Sequence, residues 1–314
     1  MALLAMIVMA HQWWVGDLTL YAPALEQTRA TAHRAMLDNE APGGRRWSEV
    51  GGAGINIRVG AVYLAEGVRR TTGLPIGLVY KLLDTLFLFA ALLALAAYLR
   101  QWLDAPHVLI GLLYLGTMLP LTYMLHAFHP WDRLQLVLWI LLLYLTQHRR
   151  PVGLGVALTA SMAVKFDVML FPLLYAMAHA GQGRHRRVAL ETAALAAIAV
   201  ASFVALKLLF PAPLEPARFG LDGAWQQMGS NLAALVALNF RHPVVLVILV
   251  PLIAALLDLR FQPRFVQACV AFALVLSGVF FALTNYAEVR AQVGVLVLLL
   301  PAALLSLQRR LAAA

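Results

Sequence analysis

Asp17, His126, His129, Asp132, Lys165, Asp167, Glu288 and Arg290 are ionisable side chains in a strongly apolar chain, and they fall in four breaks between its hydrophobic segments. Asp17 follows Trp13 and Trp14 at the end of the first apolar run. A carboxylate at the lip of an apolar cavity has the surroundings that raise a pKa and suit a general base. His126, His129 and Asp132 stand within seven residues, around Pro130-Trp131. Two imidazoles and a carboxylate suit phosphate binding or proton transfer. The same set can hold a divalent cation, although His-x-x-His-x-x-Asp is a weak metal signature by itself. Lys165 is one of three lysines, with Lys81 and Lys207, and shares its break with Asp167. An ionisable group at membrane depth is costly unless paired or wet, which makes Lys165 a functional candidate. Its plainer reading is a salt bridge to Asp167, or a lysine snorkelling to the surface. Arg290 suits phosphate, because a guanidinium donates two parallel hydrogen bonds. Arg58, two residues after Asn56, is a similar candidate, and Asp132, Asp167 and Glu288 are supporting carboxylates.

These residues come from separate breaks, so only a folded bundle can gather them. The breaks alternate in kind. One series is basic: Arg100, Gln147-His148-Arg149-Arg150, Gly183-Arg184-His185-Arg186-Arg187, Arg260 with Arg264, and Arg309-Arg310. Short cytoplasmic loops of membrane proteins collect Lys and Arg, so this series marks the inside and the chemistry-bearing series the outside. The composition agrees. The chain has 314 residues, 62% hydrophobic and 12% charged, against about 25% charged in soluble domains. A net charge of +9 spread over membrane boundaries points to orientation and anionic headgroups rather than nucleic acid. The lone Cys269 excludes an intrachain disulfide, and no Cys/His metal spacing is present.

The apolar pattern predicts an all-α, polytopic transmembrane helix bundle of about ten spans. They are 1–15, 79–99, 107–125, 133–146, 152–164, 168–180, 188–210, 243–257, 265–284 and 291–307. Met1–Val15 lacks the basic start and small-residue cleavage site of a signal peptide and reads as a retained span. Segments 152–164 and 168–180 are short, and Gly153, Gly155 and Pro172 argue for two broken helices meeting at Lys165-Phe166-Asp167. Such a meeting places polar groups at membrane depth. A first outer loop, 16–78, carries two amphipathic candidates. Tyr21–Leu37 is one; Val59–Arg70 is the other, with Val62, Leu64, Ala65 and Val68 against Glu66, Arg69 and Arg70. A second outer loop, 211–242, holds Trp225 and an apolar stretch too short to span. Residues 1–314 read as a single membrane domain. No serine nucleophile elbow, phosphate-cradling Gly-rich loop or dinucleotide fingerprint occurs.

In layout the chain resembles the GT-C superfamily of integral-membrane glycosyltransferases. The resemblance rests on Gly16-Asp17-Leu-Thr-Leu-Tyr21 after a short first span, and on Phe128-His129-Pro130-Trp131-Asp132 before a later one. It rests also on Gly153-Leu-Gly155 leading to Ala163-Val-Lys165 and Leu170-Phe-Pro172, and on Tyr286-Ala-Glu288-Val-Arg290 before the last span. It implies a polyprenyl-phosphate sugar donor, an acceptor hydroxyl on a glycan, lipid or protein, and inverting transfer on the periplasmic face of a bacterial inner membrane. Asp17 would be the base. Lys165 and Arg290 would neutralise the donor phosphate, with His126, His129 and Arg58 assisting. The acid after the first span is single here, not an adjacent pair, which weakens any need for a divalent cation. The rival readings are a glycan polymerase with a lipid-linked substrate, and a transporter or lipid flippase with Lys165 and Asp167 on its substrate or proton path. Transporters often show two similar halves, and no internal repeat is visible.

Overall fold

The computed structural model describes residues 2–10, 30–31, 33–38, 58–123, 131–181, 185–210, 221–237, 245–284 and 289–313. Asp17, His126, His129 and Glu288 lie outside the described residues, as does most of the Tyr21–Leu37 amphipathic candidate. Every regular element among the described residues is helical. In chain order they are α1 (Ala2–Met9), a helical stretch at 33–38, α2 (Gly60–Thr72), α3 (Ile76–Leu99) and α4 (Ala105–Met118), the last continued by a 3-10 turn to Tyr123. Then follow α5 (Asp132–Gln147), α6 (Pro151–Val164), a 3-10 turn (Phe166–Leu170), α7 (Phe171–His179), α8 (His185–Leu209) and α9 (Leu221–Ala237). A π-helical turn (Val245–Leu249) leads into α10 (Val250–Leu257), and α11 (Arg264–Leu283) and α12 (Val289–Ala313) complete the series.

Among the described residues, five helical segments are long and apolar enough to cross a membrane: Ile76–Leu99, Ala105–Thr122, His185–Leu209, Arg264–Leu283 and Val289–Ala313. This is a multi-pass membrane protein, but the expectation of about ten spans is corrected. The stretches read as spans at 133–146 and 152–164 are helical over their expected bounds, but the helices are short. In α6, Pro151 sits in the first turn and Lys165, in extended backbone at φ −164° and ψ 127°, ends the helix after 14 residues. In α5, the turn after Gln147 brings Arg149 to φ +51°, closing a 16-residue helix. Val245–Leu257 is divided between a π turn and an 8-residue helix with Pro251 in its first turn. At 14 and 16 residues, α6 and α5 are shorter than a hydrocarbon core of about 30 Å requires at 1.5 Å per residue.

The chain forms two compact units. The first comprises Met1–Ala94, Tyr123–Pro172 and Leu190–Glu215; the second comprises Leu95–Thr122, Leu173–Ala189 and Pro216–Ala314. In the first, α5 and α6 pack as an antiparallel hairpin, and the start of α2 rests on the end of α6. That approach is close: a Cβ on Gly60 would stand 3.1 Å from the Ala163 carbonyl oxygen and from Val164 Cγ2. Trp139 of α5 meets Phe171 edge-on, with centroids 4.8 Å apart. In the second unit α12 is the central helix, packed by α10 and α11, with an unbroken buried run from Val295 to Leu304. A Cβ on Gly111 of α4 would come within 2.8 Å of Leu304 Cδ1, so glycine there lets α4 lie against α12.

The amphipathic expectations hold unevenly. α2 forms close to where it was expected, but Glu66, assigned to its polar face, is buried, while Leu64 is exposed. In α9, Trp225, Leu232 and Val236 make an exposed apolar stripe at helical spacing, and Asn231 lies on the buried edge. Asn231 Nδ2 donates to the carbonyls of Phe281 at 2.7 Å and Thr284 at 2.8 Å. It thereby satisfies acceptors that the end of α11 leaves open. α8 is apolar and largely uncovered, with Leu190, Val200, Val204, Leu208 and Leu209 exposed. That surface suits lipid rather than water.

Candidate functional site

In the first unit, the break between α6 and the 3-10 turn lies beside the first turn of α5, and this juxtaposition gathers charge. Lys165 Nζ stands 3.4 Å from Asp167 Oδ2 and 3.7 Å from Asp132 Oδ1, with all three side chains nearly buried. Asp132 occupies the first turn of α5, where the positive end of the helix dipole favours a carboxylate. One turn further, buried Gln135 donates Nε2–H to Asp167 Oδ1 at 3.0 Å and reaches the Lys165 carbonyl at 3.4 Å. Gln135 Oε1 is buried with no hydrogen-bond partner.

Arg58 closes this site from the chain leading into α2. Its guanidinium carbon lies 5.3 Å from the Trp131 ring centroid and 5.4 Å from that of Phe166. Those two rings immediately precede Asp132 and follow Lys165 in sequence, so the cation–π contacts bring Arg58 beside the ionic cluster. Trp131 is itself wedged in a small apolar core with Ala61 and Val164, against which Met36, Leu134 and Leu138 pack. Four of the residues singled out from the sequence, Arg58, Asp132, Lys165 and Asp167, are thus brought together by three separate segments. Gln135 was not foreseen: a neutral amide inside an apolar helix carries no charge signal. Arg290 lies in the first turn of α12, within the second unit, half-buried.

The lysine distances decide what the cluster can do. Charge-assisted N–H···O bonds close to about 2.7–2.9 Å, whereas Lys165 stands 3.4 and 3.7 Å from its two carboxylates. The ammonium is held by attraction from both sides without a tight bond to either. A small rotation of its stem can turn its donors onto an incoming anion. Among the described residues no group of three His, Cys, Asp or Glu side chains could hold a divalent cation; His126 and His129 lie outside them. Asp132 and Asp167 already converge on the ammonium.

A second cluster in the same unit was missed by the sequence reading. Glu66 accepts from Arg69 at both carboxylate oxygens, from Nε and Nη2 at 2.7 Å each, and from Arg70 Nε at 2.6 Å. His33 Nε2 adds a contact to Glu66 Oε2 at 3.1 Å, and its Nδ1 lies 2.7 Å from the Tyr80 hydroxyl. A carboxylate only accepts, so Nε2–H donates to Glu66 and Nδ1 accepts from Tyr80, an arrangement a neutral imidazole completes. The bonds from Arg69 and Arg70, then that from His33, hold the Glu66 carboxyl far below the usual range. Burial pushes His33 below its ordinary value, against the pull of Glu66. The spacing of Arg69 and Arg70 at i+3 and i+4 from Glu66 was a legible signal; the remote His33 was not.

The chain matches no family model, no curated protein and no solved structure.

Proposed function

We propose that this protein is a multi-pass membrane glycosyltransferase. It moves a sugar from a polyprenyl-phosphate donor to an acceptor hydroxyl on the outer face of the bacterial inner membrane, with inversion. One observation carries the reading: Lys165 is loosely held between Asp132 and Asp167, beside Arg58, at a helix break in an apolar bundle. A leaving phosphate develops negative charge, and preorganised cations in a dry cleft stabilise it far better than water does. Lys165 and Arg58 supply two such cations. Asp132 and Asp167 hold the lysine oriented until the phosphate arrives, and Gln135 fixes Asp167.

In the proposed reaction the acceptor oxygen bonds to the anomeric carbon as the bond from that carbon to the phosphate oxygen breaks. The hydroxyl proton passes to Asp17, and the electron pair leaves with the polyprenyl phosphate. The roles of Asp17 and Arg290 rest on the resemblance described above. The N-terminus is placed inside, with the basic breaks. A segment that enters with α6 and returns with α7 keeps Arg149-Arg150 and Arg186-Arg187 on one side, whether or not either short helix spans.

The test is transfer of isotope-labelled sugar from a polyprenyl-phosphate donor in membranes holding the full chain. Label recovered in a glycosidic product supports the proposal. Label that crosses the membrane without a new glycosidic bond would make the protein a transporter and sink it.

A further inference from the structure

At the turn between α10 and α11, in the second unit, two guanidinium groups converge on one exposed ring. Arg260 Cζ lies 4.5 Å and Arg309 Cζ 4.8 Å from the centroid of Phe261. Arg309 Nη2 also donates to the Phe261 carbonyl at 3.3 Å. The turn is fastened from beneath. Buried Gln262 donates to Ser306 Oγ at 3.1 Å and reaches the Ala302 carbonyl at 3.4 Å, both on α12, while Gln267 donates to the Gln262 carbonyl at 2.8 Å. Ring and arginines are therefore mounted on a fixed base rather than on a loose loop.

The charge around the ring is uneven. Arg260, Arg264, Arg309 and Arg310 are all exposed, and Asp258 is the carboxylate among them, bonded to Arg310 Nε at 3.0 Å. Elsewhere Arg149 spends its donors on Glu191, at 3.1 and 3.3 Å. Arg260 and Arg309 instead lie over Phe261 and are exposed, so donors beyond the one that Arg309 gives the Phe261 carbonyl remain for an anion. Such donors match the oxygens of a phosphate. Beside them Leu256, Leu257, Leu307 and Leu311 are exposed. A cationic clamp bordering an uncovered apolar surface fits an amphiphile with an anionic head.

We infer that the Phe261 turn binds the phosphate of an anionic phospholipid headgroup, with the acyl chains lying along Leu256, Leu257, Leu307 and Leu311. The site is independent of the glycosyl-transfer reading. It holds the lipid at the basic face of the protein, where the cytoplasmic leaflet supplies it.

The full-length protein is delipidated, exchanged into nanodiscs of phosphatidylcholine with a small fraction of phosphatidylglycerol, and scored by native mass spectrometry for retained anionic lipid. The double variant Arg260→Gln/Arg309→Gln should weaken retention about thirtyfold, from the surface attraction of two arginines to anionic lipid. Phe261→Leu keeps every charge but removes the ring that aligns them, and should weaken retention severalfold. Arg150→Gln, an exposed basic boundary residue of the first unit, should change nothing. Unchanged retention in the double variant overturns the inference, as does an equal loss in Arg150→Gln, which would reduce the effect to general charge. Inorganic phosphate protecting the protein against thermal unfolding as well as the lipid does would assign the site to a soluble phosphate and overturn the lipid. If the double variant unfolds, Phe261→Leu decides alone: full retention there counts against the site.

Discussion

The first unit contains two ionic clusters, one around buried Glu66 and one around nearly buried Lys165, and they differ in how completely the charges are satisfied. Glu66 receives three arginine bonds of 2.6–2.7 Å and a histidine contact at 3.1 Å. Lys165 reaches its two carboxylates only at 3.4 and 3.7 Å, and the amide beside it keeps a buried oxygen without a hydrogen bond. A saturated network gains nothing by opening, so it serves as a tie between α2, α3 and the 33–38 helix. An unsaturated one carries a standing cost of unmade hydrogen bonds: a bound anion can accept from the ammonium, while the amide oxygen needs a donor such as a hydroxyl. In the proposed function it is the incompletely bonded cluster, not the saturated one, that meets substrate.

The sharpest way to break this contrast is at Lys165. Lys165→Met should cut sugar transfer about 10²–10³-fold, the range for losing one preorganised electrostatic contact. Because the change also strands two carboxylates, Lys165→Met/Asp167→Asn is the companion: it should recover thermal stability but not turnover. Recovery of both would make the cluster a tie like the other. Next in size, Glu66→Gln should cost about 2 kcal/mol of stability, the scale of a lost charged hydrogen bond, with turnover per folded molecule unchanged. Unfolding followed by tryptophan fluorescence, set beside the transfer assay, checks both halves.

Acidification tests the tie without a mutation. An unfolded His33 gains a proton below its ordinary 6.5 while the folded one resists. An unfolded Glu66 gains one near 4.5 while the folded carboxylate stays ionised. In both cases the unfolded state binds more protons, so stability is full at neutral pH and falls as pH drops, first through His33 and then through Glu66. The unfolding midpoint should decline from pH 7 to pH 5 and more steeply below, and Glu66→Gln should flatten the lower limb. The smallest effect is expected at Gly60→Ala, about 1 kcal/mol, at the low end of overpacking costs. Val164 Cγ2 must yield a few tenths of an ångström there, although the Ala163 carbonyl cannot. A loss of transfer beyond the loss of stability would show that this contact also seats Arg58.

Residue type found the loose cluster more readily than the tight one. Lys165, Asp132 and Asp167 stood out because a charge inside an apolar run has little other reason to be there. Glu66 did not, because the helical-face rule sends a glutamate between arginines to water. What buried it was His33, which is 33 residues away and which no local pattern connects to α2. The count of spans failed for a different reason. Hydropathy measures how apolar a stretch is and not whether its helix is long enough to cross, and Lys165 in extended backbone and Arg149 at positive φ end α6 and α5 at 14 and 16 residues. The glycines and prolines around α6 had pointed to that, and there the expectation of two short helices agrees with the structure. Asp17, His126, His129 and Glu288 fall outside the described residues, so their assignment still rests on the sequence.

The shortness of the α5–α6 hairpin has one more consequence. Helices of 16 and 14 residues are about 24 and 21 Å long, several ångströms less than the lipid tails around them require. A bilayer meeting such a hairpin thins and draws its headgroup layer inward. The thinned patch would centre on the element that ends at Lys165. A phosphate-bearing lipid diffusing in the leaflet would then ride down a dimple toward the ammonium, and the membrane itself would shorten the distance its charge must travel through hydrocarbon.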